Sequence, residues 1–200
     1  YGLKHDDEDQ IASYTQDSKQ YDSKTETFVA LIAKIDNWRW AGVPFFLRTG
    51  KRLKTRASEI VITFKPIQHF IFDKTEKNNT LPNQLIIRLQ PDEGLKILLM
   101  SKEPGPGGIR ISPSYLNLSF SDTFKNKIPD AYERLLMDVV RGNQTLFMRK
   151  DEVEAAWSWI DPIINLIKKN NRLPETYPPK SWGPTSSFDL LKRHGFEWCE

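Results

Sequence analysis

The chain has 200 residues, of which 38% are apolar and 12% aromatic, and its 29 lysines and arginines nearly balance 26 acidic residues for a net charge of +3. This near balance argues against nucleic acid as the partner, so any anion site has to be local. The composition is that of an ordinary globular protein, and the length suffices to bury a sizeable core. A single cysteine, Cys199, excludes an internal disulfide framework and a cysteine-based zinc site, and it fits the cytoplasm.

The start of the chain differs in composition from the rest. Residues 1–24 are polar and partly acidic, without the basic start and apolar centre of a signal peptide, and they are predicted to be a flexible arm. The acidic run 6–9 could bind calcium loosely, but a solvated arm is the favoured interpretation. No apolar run approaches the about 18 residues that span a bilayer. Because the chain opens on Tyr1 and not on methionine, we expect it to be a piece of a longer protein.

Short apolar runs separated by turn residues indicate β-strands from residue 25 onwards. They lie at 27–35, 45–49, 59–64, 85–89, 95–100 and 116–120. The first run is nearly continuous, which predicts a strand covered on both faces, whereas the last alternates Leu116 and Leu118 with polar residues, which predicts one wet face. No helical pattern lies between these runs, so we predict a mostly antiparallel sheet and not a doubly wound nucleotide-binding fold.

Helices are predicted after the strands. Pro129 and Asp130 open one that should end near Gly142. Asp151 is predicted to cap a second, which Pro162 should kink or restart, and residues 187–194 are predicted to form a short last helix. The predicted fold class is therefore α+β, a large, mostly antiparallel β-sheet flanked by helices, within a domain of residues 25–200.

A basic segment, residues 48–56, gives the clearest indication of a ligand. It follows a tryptophan-rich turn and an apolar strand, and its cations are Arg48, Lys51, Arg52, Lys54 and Arg56. Lysines and arginines clustered after a strand can hold a small anion such as a phosphate ester, and the glycine at position 50 is predicted to let the backbone approach it. From the charge pattern alone, a solvated hairpin turn is the alternative.

Four motifs resemble the C-terminal part of the glucose-6-phosphate dehydrogenase family. They are NWRWAGVPFFLRTGKRL at 37–53, NQLIIRLQPDE at 83–93, DAYERLL at 130–136 and WGP at 182–184. The resemblance extends over nearly the whole chain from residue 14 and is bacterial in type. It implies a cytoplasmic enzyme that oxidises glucose 6-phosphate to 6-phosphogluconolactone with NADP, the first step of the oxidative pentose phosphate pathway.

The resemblance also implies which part of that enzyme this chain contains. The N-terminal dinucleotide-binding domain, with the general-base histidine, is absent, so the isolated fragment should be inactive and contains no catalytic or cofactor-binding residue. The glycines of 104–108 belong to a loop and do not form a dinucleotide fingerprint. By the same resemblance, this part forms a homodimer or tetramer through its sheet.

Three residues match family positions that bind the substrate. Lys51 and Arg56 correspond to positions that contact the sugar phosphate, and Gln90 corresponds to one that reaches it from a neighbouring strand. Point charges, forked donors and an amide suit a hexose phosphate. Without the resemblance, a glutamine before a proline turn would be read as structural.

A second, structural NADP is not expected. Arg48 and Arg88 match positions that help to hold it in animal members, but Val61, Leu98 and Trp182 stand where those enzymes place cations. Arg48 and Arg88 are therefore predicted to serve packing or ion pairing.

The remaining hypotheses concern a metal site, a ligand-stacking set of tryptophans and roles other than catalysis. A metal site is not predicted, because His69 and His194 have no partner at ligand spacing. The tryptophans at 38, 40, 157 and 159 are predicted to be core residues and not a ligand-stacking set. The alternatives to a catalytic role are a non-catalytic dimerisation module with a vestigial anion site, and a nucleic-acid binder with steep salt dependence.

Overall fold

The computed structural model describes residues 13–21, 23–67, 69, 80–106, 108–123, 131–171 and 173–199. These residues separate into two compact units, unit 1 within 1–55 and 132–200 and unit 2 within 56–131. Half of the predicted arm, including the acidic run 6–9, lies outside the described residues. Its described part contains helix α1, Tyr14–Asp17, which begins with a capping box between Ser13 and Gln16. The boundary between arm and domain stays a prediction.

Unit 1 contains a two-stranded antiparallel sheet. Strand β1, Phe28–Ala33, pairs with β2, Phe45–Gly50, in a register that places Leu31 opposite Leu47. In the connection, the Asn37 side chain accepts a hydrogen bond from the Trp40 amide at 2.9 Å. The first and second apolar runs are thus confirmed as strands.

Unit 2 is a four-stranded antiparallel sheet in the order β3-β4-β5-β6. The strands are β3 Ser58–Thr63, β4 Gln84–Gln90, β5 Gly94–Lys102 and β6 Ile111–Ser119, followed by the short helix α2, Phe120–Thr123. Consecutive strands are neighbours because short connections favour antiparallel pairing, as between β4 and β5. The α+β class and the antiparallel pairing are confirmed, with the strands divided between two sheets.

Three helices complete unit 1, and their bounds correct the sequence predictions. Helix α3, Ala131–Arg141, ends as predicted at Gly142, whose φ of 69° suits glycine. Helix α4, Lys150–Lys169, has Arg149 and not Asp151 at its N-cap, and Glu152 accepts the Arg149 amide at 2.9 Å. It runs through Pro162 as one helix, so of the two predicted outcomes the restart is wrong, and the kink stays a prediction. Helix α5 spans Thr185–Lys192 and begins two residues earlier than predicted.

The described residues bury little apolar surface, although the length of the chain would suffice for a sizeable core. Among the described residues, the buried apolar side chains are Tyr177, Pro179, Pro184 and Leu191 in unit 1 and Leu98 in unit 2. Large apolar side chains of α3 and α4 are instead exposed, Val140 by 81% and Trp157 by 57%. Apolar helix faces of this kind are typical of surfaces that another part of a protein or another chain covers.

The tryptophan prediction fails for the same reason. The side chains at 38, 40, 157 and 159 were predicted to be core, but they are exposed by 89%, 40%, 57% and 52%. Within unit 1, Trp40 contacts Phe45 edge-on, with ring centroids 5.4 Å apart, and the Arg39 guanidinium carbon lies 5.7 Å from the centroid of the Trp38 ring. Their apolar surface is available for contacts beyond the described residues.

Candidate functional site

The basic loop, residues 51–54, directly follows β2 and is fixed by backbone hydrogen bonds. The Lys51 amide donates to the Thr27 carbonyl at 2.8 Å, which extends the β1–β2 ladder by one residue. The Lys54 amide donates to the Ser181 carbonyl at 2.9 Å, and the Lys180 amide donates to the Arg52 carbonyl at 2.8 Å. The loop therefore lies between β1 and the segment before α5, with its backbone held on both sides.

Tyr177 is the side chain that secures this loop. It is only 2% exposed, and its hydroxyl lies 2.7 Å from the Lys51 carbonyl oxygen and 2.9 Å from the Thr27 carbonyl oxygen. Its ring packs against Phe28 with centroids 5.5 Å apart. Because a hydroxyl has one proton, it donates to one carbonyl at a time while remaining within reach of both.

The Lys51 side chain extends from this fixed backbone into an exposed position. Its ammonium forms no hydrogen bond or ion pair with the residues that the structure describes. Its neighbour Arg52 instead reaches Asp17 at 3.5 Å, and Lys54 lies over the Trp182 ring at 5.8 Å. Of these three cations, Lys51 is thus the one whose charge the described residues do not engage.

Gly50 has a different role from the one predicted. A Cβ at this position would lie 2.8 Å from the Phe28 ring and 3.2 Å from Leu53. The space beside Gly50 is therefore filled by protein side chains. The glycine is needed for close packing under the basic loop, and the prediction that it gives a ligand access to the backbone is not supported.

Arg48 lies between two aromatic rings. Its guanidinium carbon is 4.8 Å from the centroid of Trp182 and 4.4 Å from that of Trp198, distances at which a cation and an aromatic face attract. Phe46, two residues earlier on the same face of β2, contacts Phe196 and Trp198. The predicted packing role of Arg48 is confirmed, and it attaches the residues after α5 to β2.

Arg56 and Gln90, the other predicted substrate residues, lie in unit 2. Gln90 ends β4 and pairs with Ser58 at the start of β3, two residues after Arg56, so both lie at the same end of the four-stranded sheet. Both are exposed. Arg88, two residues before Gln90, donates to the Asn117 side chain of β6 at 3.2 Å, and its predicted role in packing or ion pairing stays a prediction.

The described part of the chain offers neither a metal-binding cluster nor a membrane-spanning helix. No group of three or more histidine, cysteine, aspartate or glutamate side chains there could hold a metal ion. None of its helices combines the length and the apolar character that crossing a bilayer would require.

These features define an α+β protein with antiparallel sheets and an exposed cationic loop on a fixed backbone. The chain belongs to the family described as glucose-6-phosphate dehydrogenase, C-terminal domain, whose model matches residues 1–199. The resemblance inferred from the four motifs is thereby confirmed.

Relatives and solved structures agree with the family. The chain is 53% identical over 188 residues to the glucose-6-phosphate 1-dehydrogenase of Rhizobium meliloti and 52% identical to that of Mycolicibacterium smegmatis. Both alignments cover 94% of this chain and 38% of the relative. The chain thus spans well under half the length of these curated relatives.

Among solved structures, a glucose-6-phosphate dehydrogenase in complex with its substrate glucose 6-phosphate superimposes with a TM-score of 0.83 at 33% identity, covering 94% of this chain and 38% of that one. The enzyme from Mycobacterium avium gives a TM-score of 0.73 at 34% identity, covering 90% of this chain and 36% of that one.

The most informative residue that sequence reasoning missed is Tyr177. The sequence signal for this residue is weak. Tyr177 precedes Pro178 and Pro179 in a proline-rich segment, and that composition predicts only an extended backbone. Its partner Thr27 is 150 positions away along the chain, and both of its hydrogen bonds are to backbone carbonyls. No pattern of residue types reports such a contact.

Proposed function

We propose that this chain is the C-terminal part of an NADP-dependent enzyme that oxidises glucose 6-phosphate to 6-phosphogluconolactone in the cytoplasm, as the first step of the oxidative pentose phosphate pathway. The observation that carries the proposal is the basic loop: a cation on a fixed backbone, exposed, with no acidic partner among the described residues. The family match over residues 1–199 and the solved relative with glucose 6-phosphate support this choice of anion.

In this proposal, three residues bind the sugar phosphate. Lys51 contributes a point charge and Arg56 a forked donor to the dianion. Gln90 offers its amide to sugar oxygens. The exposure of all three side chains is compatible with this role, because each has polar atoms available to a ligand.

The chemistry of hydride transfer belongs to the remainder of the enzyme. The chain matches 38% of its relatives' length, and we assign the dinucleotide-binding fold and the general-base histidine to the remainder. The chain itself binds and orients substrate, which contributes to rate by positioning, and in isolation it is expected to be inactive.

No structural NADP is proposed for this chain. Arg48 is engaged between two tryptophan rings, and Leu98, an uncharged residue, stands in β5 where the resemblance expects a cation in animal members. A polyanion without several of its cations should bind poorly. Stoichiometric NADP binding by the isolated chain in calorimetry would overturn this view.

We further propose that unit 2 carries a homodimer or tetramer contact. On one face of its strand β6, Leu116 and Leu118 are exposed by 61% and 44%, an apolar strip suited to a second sheet. Leu116→Asp should shift the protein to a smaller species in sedimentation velocity, with Leu81→Asp, exposed by 54%, as the control. An unchanged sedimentation coefficient would place the contact elsewhere.

Lys51→Ala in the full-length enzyme tests the substrate site. Losing a hydrogen bond to a charged group costs about 1.5–3 kcal/mol, so the KM for glucose 6-phosphate should rise about 10- to 100-fold. The KM for NADP should stay unchanged, as should both constants in Lys34→Ala, another exposed lysine of unit 1. An unchanged KM in Lys51→Ala would leave the non-catalytic assembly module with a vestigial anion site as the better interpretation.

A further inference from the structure

The backbone of Lys51 is held at both of its polar groups. Its amide donates to the Thr27 carbonyl at 2.8 Å, and its carbonyl oxygen lies 2.7 Å from the Tyr177 hydroxyl. The Thr27 carbonyl is itself within 2.9 Å of the same hydroxyl. The buried Tyr177 side chain thus links Thr27, the residue before β1, to Lys51, the residue after β2. Lys51 is also the residue whose side chain is predicted to bind the phosphate.

Tyr177 is well placed to be rigid. It is 2% exposed, its ring is in contact with Phe28, and the next residues along the chain hold the loop through their own backbone bonds. If the hydroxyl moved away, the Lys51 carbonyl would lose this donor, whereas the Thr27 carbonyl would keep the Lys51 amide at 2.8 Å, and losing a hydrogen-bond partner at a partly buried position is costly. The Lys51 carbonyl is therefore restricted to a narrow range of positions.

We infer that Tyr177 is a positioning residue for Lys51, acting through the backbone carbonyl and not through contact with the ligand. This inference rests on the proposed function, because it assumes that Lys51 binds the sugar phosphate. A cation on a fixed backbone loses less conformational freedom when it binds, so its contribution to affinity is larger than that of the same cation on a mobile loop. Tyr177 then sets the affinity for the phosphate ester without supplying a charge.

The test is Tyr177→Phe in the full-length enzyme, which removes the hydroxyl and keeps the ring against Phe28. One neutral hydrogen bond corresponds to a change of about 3- to 10-fold, so the KM for glucose 6-phosphate should rise by that factor. The value of kcat and the KM for NADP should change by less than about twofold, because neither the reacting atoms nor the cofactor is touched. Tyr21→Phe, in unit 1 and 74% exposed, is the matched control and should behave as the wild type.

A double-mutant cycle separates this inference from the proposed function. If Tyr177 acts through Lys51, Tyr177→Phe should add little to the KM of Lys51→Ala. An unchanged KM in Lys51→Ala defeats both the substrate site and the inference. A raised KM in Lys51→Ala with a normal KM in Tyr177→Phe contradicts the inference alone. The inference is also wrong if the double variant shows the full KM increases of both single variants combined.

Reduced folding does not obscure the outcome, because KM is independent of the concentration of folded enzyme. A purely structural role for Tyr177 would lower the yield and the melting temperature while the remaining enzyme kept the wild-type KM. That result would overturn the inference.

Discussion

Gly183→Ala probes the packing beneath the basic loop. A Cβ on Gly183 would lie 2.3 Å from Cε2 and 2.6 Å from Cζ of Phe28. Carbon atoms in contact are about 3.5–4.0 Å apart, so the ring would have to move by more than about 1 Å. It has little room to do so, because Tyr177 packs against it and Gly50 lies close to the same ring, a Cβ there being 2.8 Å from Cδ2.

The expected change in the free energy of unfolding combines two destabilising effects and one stabilising effect. Overpacking a filled site costs about 1–3 kcal/mol, and a non-glycine residue at the φ of 108° found here costs a similar amount. Alanine restricts the unfolded chain more than glycine does, which returns about 0.4–1 kcal/mol. Gly183→Ala should therefore lower the free energy of unfolding by about 1–5.6 kcal/mol.

The assay is urea unfolding of the full-length protein followed by tryptophan fluorescence. Gly195→Ala is the control in the same unit, since Gly195 also has a positive φ, 75°, but no atom within 4 Å of its would-be Cβ. The control should lose markedly less stability, and Phe28→Leu should reduce the effect of Gly183→Ala by making space. Equal losses in Gly183→Ala and Gly195→Ala would show that the contact with Phe28 is not the cause.

Two further changes test the packing of each unit by the same unfolding measurement. Leu98→Ala, at a side chain of β5 that is 5% exposed, should lower the free energy of unfolding by about 2–5 kcal/mol. Leu89→Ala, at a side chain that is 48% exposed, should lower it by less than about 1 kcal/mol. Similar losses in the two variants would contradict the assignment of Leu98 to the core. Arg48→Met keeps most of the apolar stem between the two tryptophans but removes the charge, and it should cost about 1–2 kcal/mol. A protein as stable as the wild type would show that the charge contributes nothing there.

The exposed apolar surface limits the stability of the chain on its own and is available for contacts with other parts of the proposed enzyme. A chain of this length that buries so few large side chains among its described residues gains little from the hydrophobic effect on its own. The exposed faces of α3, α4 and β6 offer that surface to other parts of the proposed enzyme. This is the physical reason for expecting the chain to function within a larger assembly.

Much of the local structure was predictable because it depends on neighbouring residues. The strand around Leu95 and Leu98 shows up as an apolar run, and the end of α3 is predicted by Gly142, whose backbone conformation other residues avoid. The N-cap of α4 was misplaced by two residues, because Arg149 takes the capping position while Glu152 satisfies its amide. Element types were thus more predictable than their ends.

The sequence by itself determined the kinds of elements, the local cationic charge of the basic segment and the family. Those properties depend on residue type and short spacing, which can be read along the chain. Only the tertiary structure decided that Tyr177 holds Lys51, that Gly50 and Gly183 make room for Phe28, and that Arg48 lies between two tryptophans. Each of these contacts joins residues far apart in the chain, and its existence depends on the space left after the backbone has folded.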